Sequence, residues 1–463
     1  MAATELRSRG GARIDAEIIN EFAKGLAGRA IGPADADYAD ARRIWNAAID
    51  RHPGLIVRCL GVADVIYAVK FARANDILVA VRGGGHNVAG RALCDDGLVV
   101  DLSSMRGVLV DPGKRVVRVQ GGATLGDLDR ETHLYGLAVP VGVVSKTGVA
   151  GLTLGGGVGW LVRKYGLSCD NVISFEVVTA EGELLIAGPE NHPDLYWALR
   201  GGGGNFGIVT CFTFRAYPIS TVLGGLIVHP REKAGEVLRF YRDFMATAPE
   251  ELTAYSALVT TPDGMPAIVV IVCWCGEIAE GERVLAPLRA FGSPLLDTIE
   301  PMPFPAMQKL LDGEFPEGTY NHWKATFVPE LTDEVIDLLI DHASRMRSPM
   351  SGCLVEFYGG APGRVGSEES AFAQRAAEYN IGMTAQWTDP AESATHTAWT
   401  RAMYDAFEPH SNGMHLLNFQ SEAGDDVTRA AFGANYARLS ELKRKYDPTN
   451  FFSLNQNINA ASS

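Results

Sequence analysis

The sequence predicts an α+β protein of two domains, and two observations lead to this prediction. Residues 1–218 alternate short apolar strand patterns with short helical patterns, and they hold all three long glycine runs of the chain. From residue 219 to 412, longer helical patterns stand between apolar strands, which is typical of an antiparallel sheet with helices on one face. We place the boundary at Pro218, where a strand pattern ends.

The elements of the first domain follow from periodicity and turn residues. In "VADVIYAVKFARAND" the apolar positions 62, 65, 66 and 69 have helical spacing. The apolar runs "DILVAVRGG", "GLVVDLSS" and "RVVRVQGG" predict buried strands that end in glycine or polar turns. The stretch "DNVISFEVVTAEGELLIAG" predicts a hairpin that turns at Glu181 and Gly182, "HPDLYWALRG" predicts a helix, and "FGIVTCFTFRAYP" predicts a strand.

The second domain is predicted in the same way. Helical patterns occur in "EKAGEVLRFYRDFMATAP", "TDEVIDLLIDHASRM" and "ESATHTAWTRAMYDAF". Strand patterns occur in "PAIVVIVCWCG", "NHWKATFV" and "GCLVEFYGG". The tail "ARLSELKRKYDPTNFFSLNQNINA" predicts a basic helix that ends before Pro448, followed by an extended segment.

Composition limits the classes of partner. The net charge of −14 repels a phosphate backbone, so we expect no nucleic acid partner. Because no apolar run approaches about 18 residues, we expect no membrane span. The N-terminal stretch has no apolar signal core, so we expect a cytoplasmic protein. The sequence has no HExxH pair and no clustered Cys/His spacing, so we expect no catalytic metal.

The glycine runs at residues 83–85, 155–157 and 201–204 predict a ligand site. Glycine lets backbone N–H groups approach an anion with no Cβ in the way, so three runs indicate one large phosphate-bearing ligand. For residues 201–204 a plain turn is an equally open interpretation. A Rossmann fingerprint is excluded there because a helix precedes the glycines and a strand follows them. A P-loop is excluded in "GVVSKTG" because Ser145 stands where that loop needs glycine.

Four motifs resemble those of one enzyme family. They are "RGGGHNVAG", "GVVSKTGVAGLTLGGGVGWLVRKYGLSCDNV", "DLYWALRGGGGNFGIVT" and "KRKYDPTNFFSLNQNI", in this order. Together they resemble flavin oxidases of the berberine bridge enzyme and 6-hydroxy-D-nicotine oxidase type, over about residues 34–459. The resemblance implies the vanillyl-alcohol oxidase fold. Residues 1–218 would form an FAD-binding domain of two α/β subdomains, residues 219–412 a substrate-binding domain, and residues 413–463 a C-terminal segment that returns to the flavin site.

The resemblance also implies how FAD is held. In this family the histidine after the first glycine loop carries a covalent bond to the flavin, and His86 stands at that position. Some relatives add a cysteinyl bond, but Val144 occupies that place, so a single link is implied. Thr147 falls in the loop near the reactive nitrogen of the flavin. The other implied cofactor contacts are Arg82, Gly83, Gly84, Gly85, Asn87, Gly148, Gly151, Leu152, Gly155, Gly159, Ile208, Val209, Asn455 and Asn457.

The catalytic base is less clear from the resemblance. Sugar oxidases of this type use two tyrosines, and the corresponding places hold Val88 and Leu416. On the strand "CLVEFYGG", Glu356 shares a face with Tyr358, and a partly desolvated carboxylate has a raised pKa and can accept a proton. A solvated strand face is the other open interpretation. His322 is a weaker candidate. In "HLLNF", which we predict to be a strand, Leu416 and Asn418 face the same side, and Asn418 is a candidate for substrate or flavin binding if that side faces the flavin.

The function implied is that of an FAD-dependent oxidase. Such an enzyme oxidises a carbon next to a hydroxyl or amine of a small molecule, a secondary metabolite in this prediction. Molecular oxygen is the electron acceptor and H2O2 the product. Two alternatives stay open from the sequence: a dehydrogenase that uses another electron acceptor, and a flavin-binding protein without catalysis. Peroxide formation during turnover distinguishes the first alternative from an oxidase.

Overall fold

The computed structural model describes residues 5–376 and 378–460. Its first sheet has four strands: β1 (Arg29–Ile31), β2 (Leu55–Arg58), β3 (Val79–Arg82) and β4 (Leu98–Asp101). Strands β2, β4 and β3 are parallel neighbours, and β1 pairs antiparallel with β2 at the edge. The accompanying helices are α1 (Ala16–Lys24), α2 (Tyr38–Ala41) and α3 (Val62–Ala74). The apolar stripe predicted for α3 packs Val65 and Val69 against this sheet.

The second sheet is antiparallel and has the strand order β5-β6-β9-β7-β8. Its strands are β5 (Val108–Asp111), β6 (Val116–Gln120), β7 (Val172–Val178), β8 (Leu184–Ala187) and β9 (Ile208–Arg215). The helices in this part are α4 (Leu125–His133), α5 (Val149–Leu154), α6 (Val162–Tyr165) and α7 (Pro193–Leu199). The predicted hairpin is β7–β8, and Gly182 takes the positive φ of +72° that its turn requires.

The third sheet is the largest and is also antiparallel. Its strands are β10 (Thr221–Pro230), β11 (Leu252–Thr260), β12 (Pro266–Trp274), β13 (Leu296–Asp297), β14 (Glu300–Pro303), β15 (Tyr320–Val328), β16 (Gly352–Phe357) and β17 (Tyr379–Trp387). The order is β13-β10-β12-β11-β16-β17-β15, and β14 also pairs with β10. The helices of this part are α8 (Ala234–Met245), α9 (Ile278–Ala290), α10 (Phe304–Gln308), α11 (Asp333–Ser344) and α12 (Ser393–Phe407).

The two faces of the large sheet pack against different partners. One face is covered by α8, α9, α11 and α12, which contribute residues such as Leu238, Leu339 and Phe407 to one continuous apolar core. The opposite face packs against α6 and the loops around it, within residues 138–169, through a second core that includes Trp160 and Tyr255. The four longer helices therefore lie on one face of the sheet, as the sequence predicts, and the short α10 packs on the other face through Phe304 and Met307. The other face is left to form one wall of a cavity.

The tail returns to the first part of the molecule. Helices α13 (Asp425–Phe432) and α14 (Tyr436–Tyr446) pack against the core of the second sheet, and α14 ends before Pro448 as predicted. The prediction of a strand at "HLLNF" is wrong, because residues 417–419 form a single 3₁₀ turn. Within the described residues, no helix has both the length and the apolar character needed to span a bilayer.

Candidate active site

A cavity of about 830 Å³ lies between the glycine loops and the open face of the large sheet. This volume lies within the range of small-molecule and cofactor sites. The lining includes most of the residues expected to hold the cofactor: Gly83, Gly84, Gly85, His86, Asn87, Thr147, Gly148, Gly151, Leu152, Gly155, Ile208, Val209 and Asn455. The structure thus brings together loops that lie more than 350 residues apart in the chain.

The first glycine run and the loop at Gly148 touch backbone to backbone at the cavity. A Cβ on Gly84 would lie 2.5 Å from the Cα of Gly148, and a Cβ on Gly148 would lie 2.5 Å from the backbone N of Gly84. Neither position accepts a side chain, because the colliding atoms belong to the backbone. All four glycines at residues 201–204 line the same cavity, which favours the ligand interpretation of that run over a plain turn.

His86 faces the cavity and stacks on Trp45. Their ring centroids lie 4.3 Å apart with an interplanar angle of 12°. Burial lowers the pKa of His86 to about 4, so the imidazole is neutral at neutral pH. Its Nε2 is buried and has no hydrogen-bond partner within the protein. Sequence reasoning missed Trp45, which lies 41 residues before the histidine and has no motif of its own.

Three expected cofactor residues lie behind the cavity wall. The guanidinium of Arg82 donates a hydrogen bond to the carbonyl oxygen of Ala41 at 2.6 Å. Gly159 is packed against the backbone of Val141, and its carbonyl accepts a hydrogen bond from the Tyr255 hydroxyl. Asn457 bonds to Asn459 at 3.1 Å. The structure does not bring these three residues to the lining of the cavity.

Arg91 is a lining residue that sequence reasoning missed. Its backbone N–H donates to Asn87 Oδ1 at 3.2 Å, and its Nη1 donates to the carbonyl of Asn455 at 2.7 Å. Among the described residues that line the cavity, Arg91 is the one arginine, and no lysine accompanies it. Its position four residues after Asn87, in the loop that follows His86, is the signal that could have identified it.

Glu356 lies on the opposite wall, where the large sheet faces the cavity. Its side chain is 5% exposed, which excludes the solvated strand face that the sequence left open. The hydroxyl of Tyr358 donates to Oε2 at 2.6 Å, and Asn380 Nδ2 donates to the same oxygen at 2.7 Å. Burial raises the pKa of the Glu356 carboxyl, and the two hydrogen bonds oppose this shift in part.

The other three catalytic candidates lie in different surroundings. Asn418 lines the cavity and donates to the carbonyl of Leu152 at 3.2 Å. Tyr358 is buried behind Glu356 and does not line the cavity. His322 lies on the other face of β15, where its Nδ1 is 2.6 Å from the Thr400 hydroxyl of α12. His322 is therefore separated from the cavity by the sheet, and burial lowers the pKa of its imidazole.

The comparisons with known proteins agree with this arrangement. A family model described as "FAD binding domain" matches residues 53–188, and one described as "Berberine and berberine like" matches residues 415–459. The chain is 32% identical over 447 residues to an FAD-linked oxidoreductase of Dictyostelium discoideum, and the match covers 96% of this chain and 97% of that protein. The chain belongs to the berberine-bridge-enzyme-like family of FAD-linked oxidoreductases.

Further relatives support the same assignment. The chain is 30% identical to the (R)-6-hydroxynicotine oxidase of Paenarthrobacter nicotinovorans, with 95% of this chain and 98% of that protein covered. A crystal structure of 6-hydroxy-D-nicotine oxidase from Arthrobacter nicotinovorans superposes with a TM-score of 0.87 and 29% identity, covering 94% and 99% of the two chains. The predicted vanillyl-alcohol oxidase fold is confirmed, and the protein is an FAD-dependent oxidoreductase.

The lining of the cavity fits the cofactor of a berberine-bridge-enzyme-like protein. The loops at Gly84 and Gly148 pack backbone to backbone, so both bring their main chain to the wall of the cavity. Arg91 supplies a positive charge beside them. The Nε2 of His86 is buried without a hydrogen-bond partner in the protein, and a bound ligand would supply one. These residues would hold FAD. In the part of the chain that the structure describes, no cluster of His, Cys, Asp or Glu could hold a metal ion.

Proposed function

We propose that this berberine-bridge-enzyme-like protein is an oxidase that acts on a hydroxyl- or amine-bearing small molecule, with FAD linked through His86. The substrate would lose two hydrogens, and molecular oxygen would take them up as H2O2. The observation that carries the proposal is the buried Glu356 carboxyl, which lines the same cavity as His86 and the glycine loops. FAD, when bound, supplies the acceptor for the electrons that leave the substrate.

The part assigned to Glu356 is that of proton acceptor. Both of its hydrogen bonds, from Tyr358 and Asn380, end on Oε2, which leaves Oε1 for the substrate. A carboxyl whose pKa is raised toward neutrality is a better match for a hydroxyl or ammonium proton than an ordinary surface carboxylate. Tyr358 is a positioning residue in this scheme, because it reaches the cavity only through Glu356.

The experiment on Glu356 uses Glu356→Gln, which keeps the shape of the side chain but cannot accept a proton. Flavin reduction, followed by stopped flow without oxygen, should slow by about 10²–10⁴-fold. (R)-6-Hydroxynicotine is the first compound to test, because one relative is named as its oxidase. The matched control is Glu378→Gln, since burial also raises the pKa of Glu378 but this residue lies outside the cavity. Unchanged reduction in Glu356→Gln would place the base elsewhere.

The proposed covalent link has its own test. The His86 imidazole is neutral, so a nitrogen lone pair is free to bond to carbon, and its Nε2 has no other partner. Acid-denatured wild-type protein should keep its flavin fluorescence in the pellet, whereas His86→Ala should release all flavin to the supernatant. Because Val144 cannot form a second bond and Cys169 is buried outside the cavity, peptide mapping should find flavin on the His86 peptide alone. Complete release from the wild type would contradict the link.

Oxygen as the acceptor is tested on the same protein. An oxidase forms H2O2 in step with substrate consumption in air. If the flavin is reduced rapidly by substrate but reoxidised by an artificial dye and not by oxygen, the protein is a dehydrogenase instead. The assignment of Glu356 would survive that result, because the proton transfer from the substrate is common to both reactions.

A further inference from the structure

The cavity continues along the large sheet well beyond Glu356. In the register of the sheet, Tyr255 of β11 lies opposite Glu356 of β16. The lining then follows β11 to its end at Thr260 and continues into the turn at residues 261–265. Five residues at about 3.4 Å each make this extension about 17 Å long. A proton transfer to Glu356 needs none of this length.

The cross-strand row in this extension consists of apolar side chains, with a small one at its centre. Leu354 lies two residues before Glu356 on β16. A row of paired residues runs across the sheet from Leu354 through Ala257 and Val269 to Val228. Ala257 lies between the larger side chains of Val269 and Leu354, so the side chains of this row project least into the cavity at Ala257. We name as the apolar trough the residues Leu226, Val228, Ala257, Val259, Val269 and Leu354, all of which line the cavity.

The outer end of the apolar trough opens at the surface between apolar side chains. Met265, Leu295 and Leu296 line the cavity and are 46%, 54% and 49% exposed. Exposed large apolar side chains that cluster at the mouth of a cavity indicate a binding surface, whereas isolated ones need no explanation. Among the described residues of the second half of the chain, these three are all of the exposed large hydrophobic side chains.

The charges in the cavity restrict what the apolar trough can hold. Arg91, the one cationic side chain among the described residues of the lining, donates a hydrogen bond to the carbonyl of Asn455 in the tail, on the glycine-loop side. Carboxyl groups mark the two ends of the extension: Glu356 at the inner end and Asp263 at the mouth. An anionic group in the trough would therefore be desolvated without a partner, which is costly. An uncharged apolar body meets no such cost.

We propose that the apolar trough binds the hydrocarbon skeleton of an elongated substrate, an alkyl chain or a row of rings up to about 17 Å long. Its reacting hydroxyl or amine would lie at Glu356, and its far end would reach Met265, Leu295 and Leu296. The orientation of the substrate, with its polar end at Glu356, rests on the proposed function, whereas the binding of an apolar molecule in the apolar trough does not. This assignment names the class of substrate: a large, uncharged, apolar molecule with one polar end.

The test measures binding and not turnover. Straight-chain 1-alkanols from hexanol to tetradecanol, the longest of which can extend from Glu356 to the mouth, are titrated into the flavin-loaded protein in a calorimeter. Each added methylene should lower Kd about fourfold, which corresponds to about 0.8 kcal/mol per buried CH2 group. Ala257→Phe fills the centre of the trough and should remove most of this length dependence. A Kd that does not change with chain length in the wild type would overturn the proposal.

A second variant keeps the test independent of the folding of Ala257→Phe. Met265→Asp changes an exposed side chain at the mouth and should weaken only the longest alkanols. Its control is Leu184→Asp on β8, because Leu184 is also 46% exposed and lies outside the cavity. Equal alkanol affinities in the wild type, in Ala257→Phe and in Met265→Asp would also overturn the proposal.

The outcomes separate this inference from the proposed function. If alkanol affinity rises with chain length but Glu356→Gln leaves flavin reduction unchanged, the trough stands and the proposed base fails. If (R)-6-hydroxynicotine is oxidised through Glu356 while alkanol affinity is independent of length, the base stands and the trough fails.

Discussion

Glu356 shows how the fold sets the chemistry of one side chain. The carboxyl is buried in the cavity wall, so the charged form loses its hydration and its pKa rises. Tyr358 and Asn380 donate hydrogen bonds that favour the charged form and limit the rise. Below its raised pKa the carboxyl is protonated and cannot accept a proton. The proposed reaction should therefore be slow at acidic pH and speed up as the pH rises through that pKa.

We predict that Tyr358→Phe moves this pH dependence to higher pH. The variant removes one hydrogen bond to Oε2 and leaves the ring in place, so the pKa of Glu356 should rise further. Stopped-flow rates of flavin reduction, measured without oxygen over a series of pH values, should show the midpoint displaced upward. The rate at high pH should stay close to that of the wild type, because Tyr358 does not line the cavity.

The control for this prediction is Tyr241→Phe. Tyr241 is also fully buried and donates one hydrogen bond, but its acceptor is the carbonyl of Ala254 on the helix side of the sheet. Its removal should change stability and leave the midpoint of the pH profile unchanged. An unshifted profile in Tyr358→Phe would show that the hydroxyl does not tune the base.

Individual residues could be predicted from the sequence to unequal degrees. His86 follows a glycine loop whose backbone requirements leave a clear pattern, and it lies in the cavity. His322 alternates with Tyr320 and Lys324 in the strand pattern "YNHWKATF", but alternation does not say which face of a strand meets the helices. The neighbouring Trp323 lies on the cavity face instead. The choice between faces depends on partners that are remote in the sequence.

The C-terminal segment is fastened by a buried charge network. Lys443 of α14 is fully buried, and its ammonium donates to the carbonyls of Asn205 at 2.8 Å and Phe452 at 2.9 Å. It also contacts the buried carboxylate of Asp447 at 2.7 Å, which accepts backbone N–H bonds from Phe451 and Phe452. Asn205 directly follows the third glycine run, so the network joins the tail to the cavity wall.

We predict that Lys443→Met destabilises the protein by about 3–5 kcal/mol, because it leaves Asp447 charged and buried without its partner. Denaturant unfolding followed by flavin fluorescence measures the change. Asp447→Asn added to this variant should recover part of the loss, since the uncompensated charge is then gone.

The matched control is Lys445→Met, two residues further along α14. The side chain of Lys445 is 58% exposed and pairs with Asp194, so its loss should cost less than about 1 kcal/mol. Similar destabilisation by the two methionine variants would mean that the buried network does not fasten the tail.

Most regular elements could be predicted from local patterns, and the failures have a physical cause. Helix α14 has its own periodicity and ends before Pro448, so its bounds follow from the sequence. The segment "HLLNF" alternates like a strand but forms a 3₁₀ turn, in which Asn418 bonds to the carbonyl of Leu152. That bond is a tertiary contact, and tertiary contacts override short alternating patterns.

The cavity forms only where the two halves of the chain pack together, and neither half encloses it alone. Its walls meet because the large sheet packs against the first part of the chain through Trp160, Tyr255 and their neighbours. Ser145, in the loop before Gly148, donates to both carboxylate oxygens of Asp312, at 2.8 Å from its backbone and 2.6 Å from its hydroxyl. Sequence patterns could predict the glycine loops, but not the apolar trough, whose rows depend on the register of four strands.

Arg163 of α6 is the clearest single connection between the two halves. Its guanidinium is buried and donates to the carbonyls of Ala248, Pro249 and Leu252, at 3.1, 3.1 and 2.6 Å. It also lies over the ring of Phe357, which follows Glu356 in β16, with 5.4 Å between the guanidinium carbon and the ring centroid. These contacts join α6 to β11, to the residues before it and to β16 of the large sheet.

We predict that Arg163→Met lowers the thermal unfolding midpoint by several degrees, because the buried carbonyl of Leu252 loses its donor at about 1–3 kcal/mol and the part-buried carbonyls of Ala248 and Pro249 lose theirs at a smaller cost. Differential scanning calorimetry measures the shift. Flavin reduction should slow in the same variant while covalent flavin content stays unchanged, since the spacing of the walls alters but His86 does not. In the control Arg364→Met, an exposed guanidinium loses only its pairing with Glu250, so the midpoint should hardly move. Equal midpoints for the two variants would show that Arg163 does not fix the docking of the two halves.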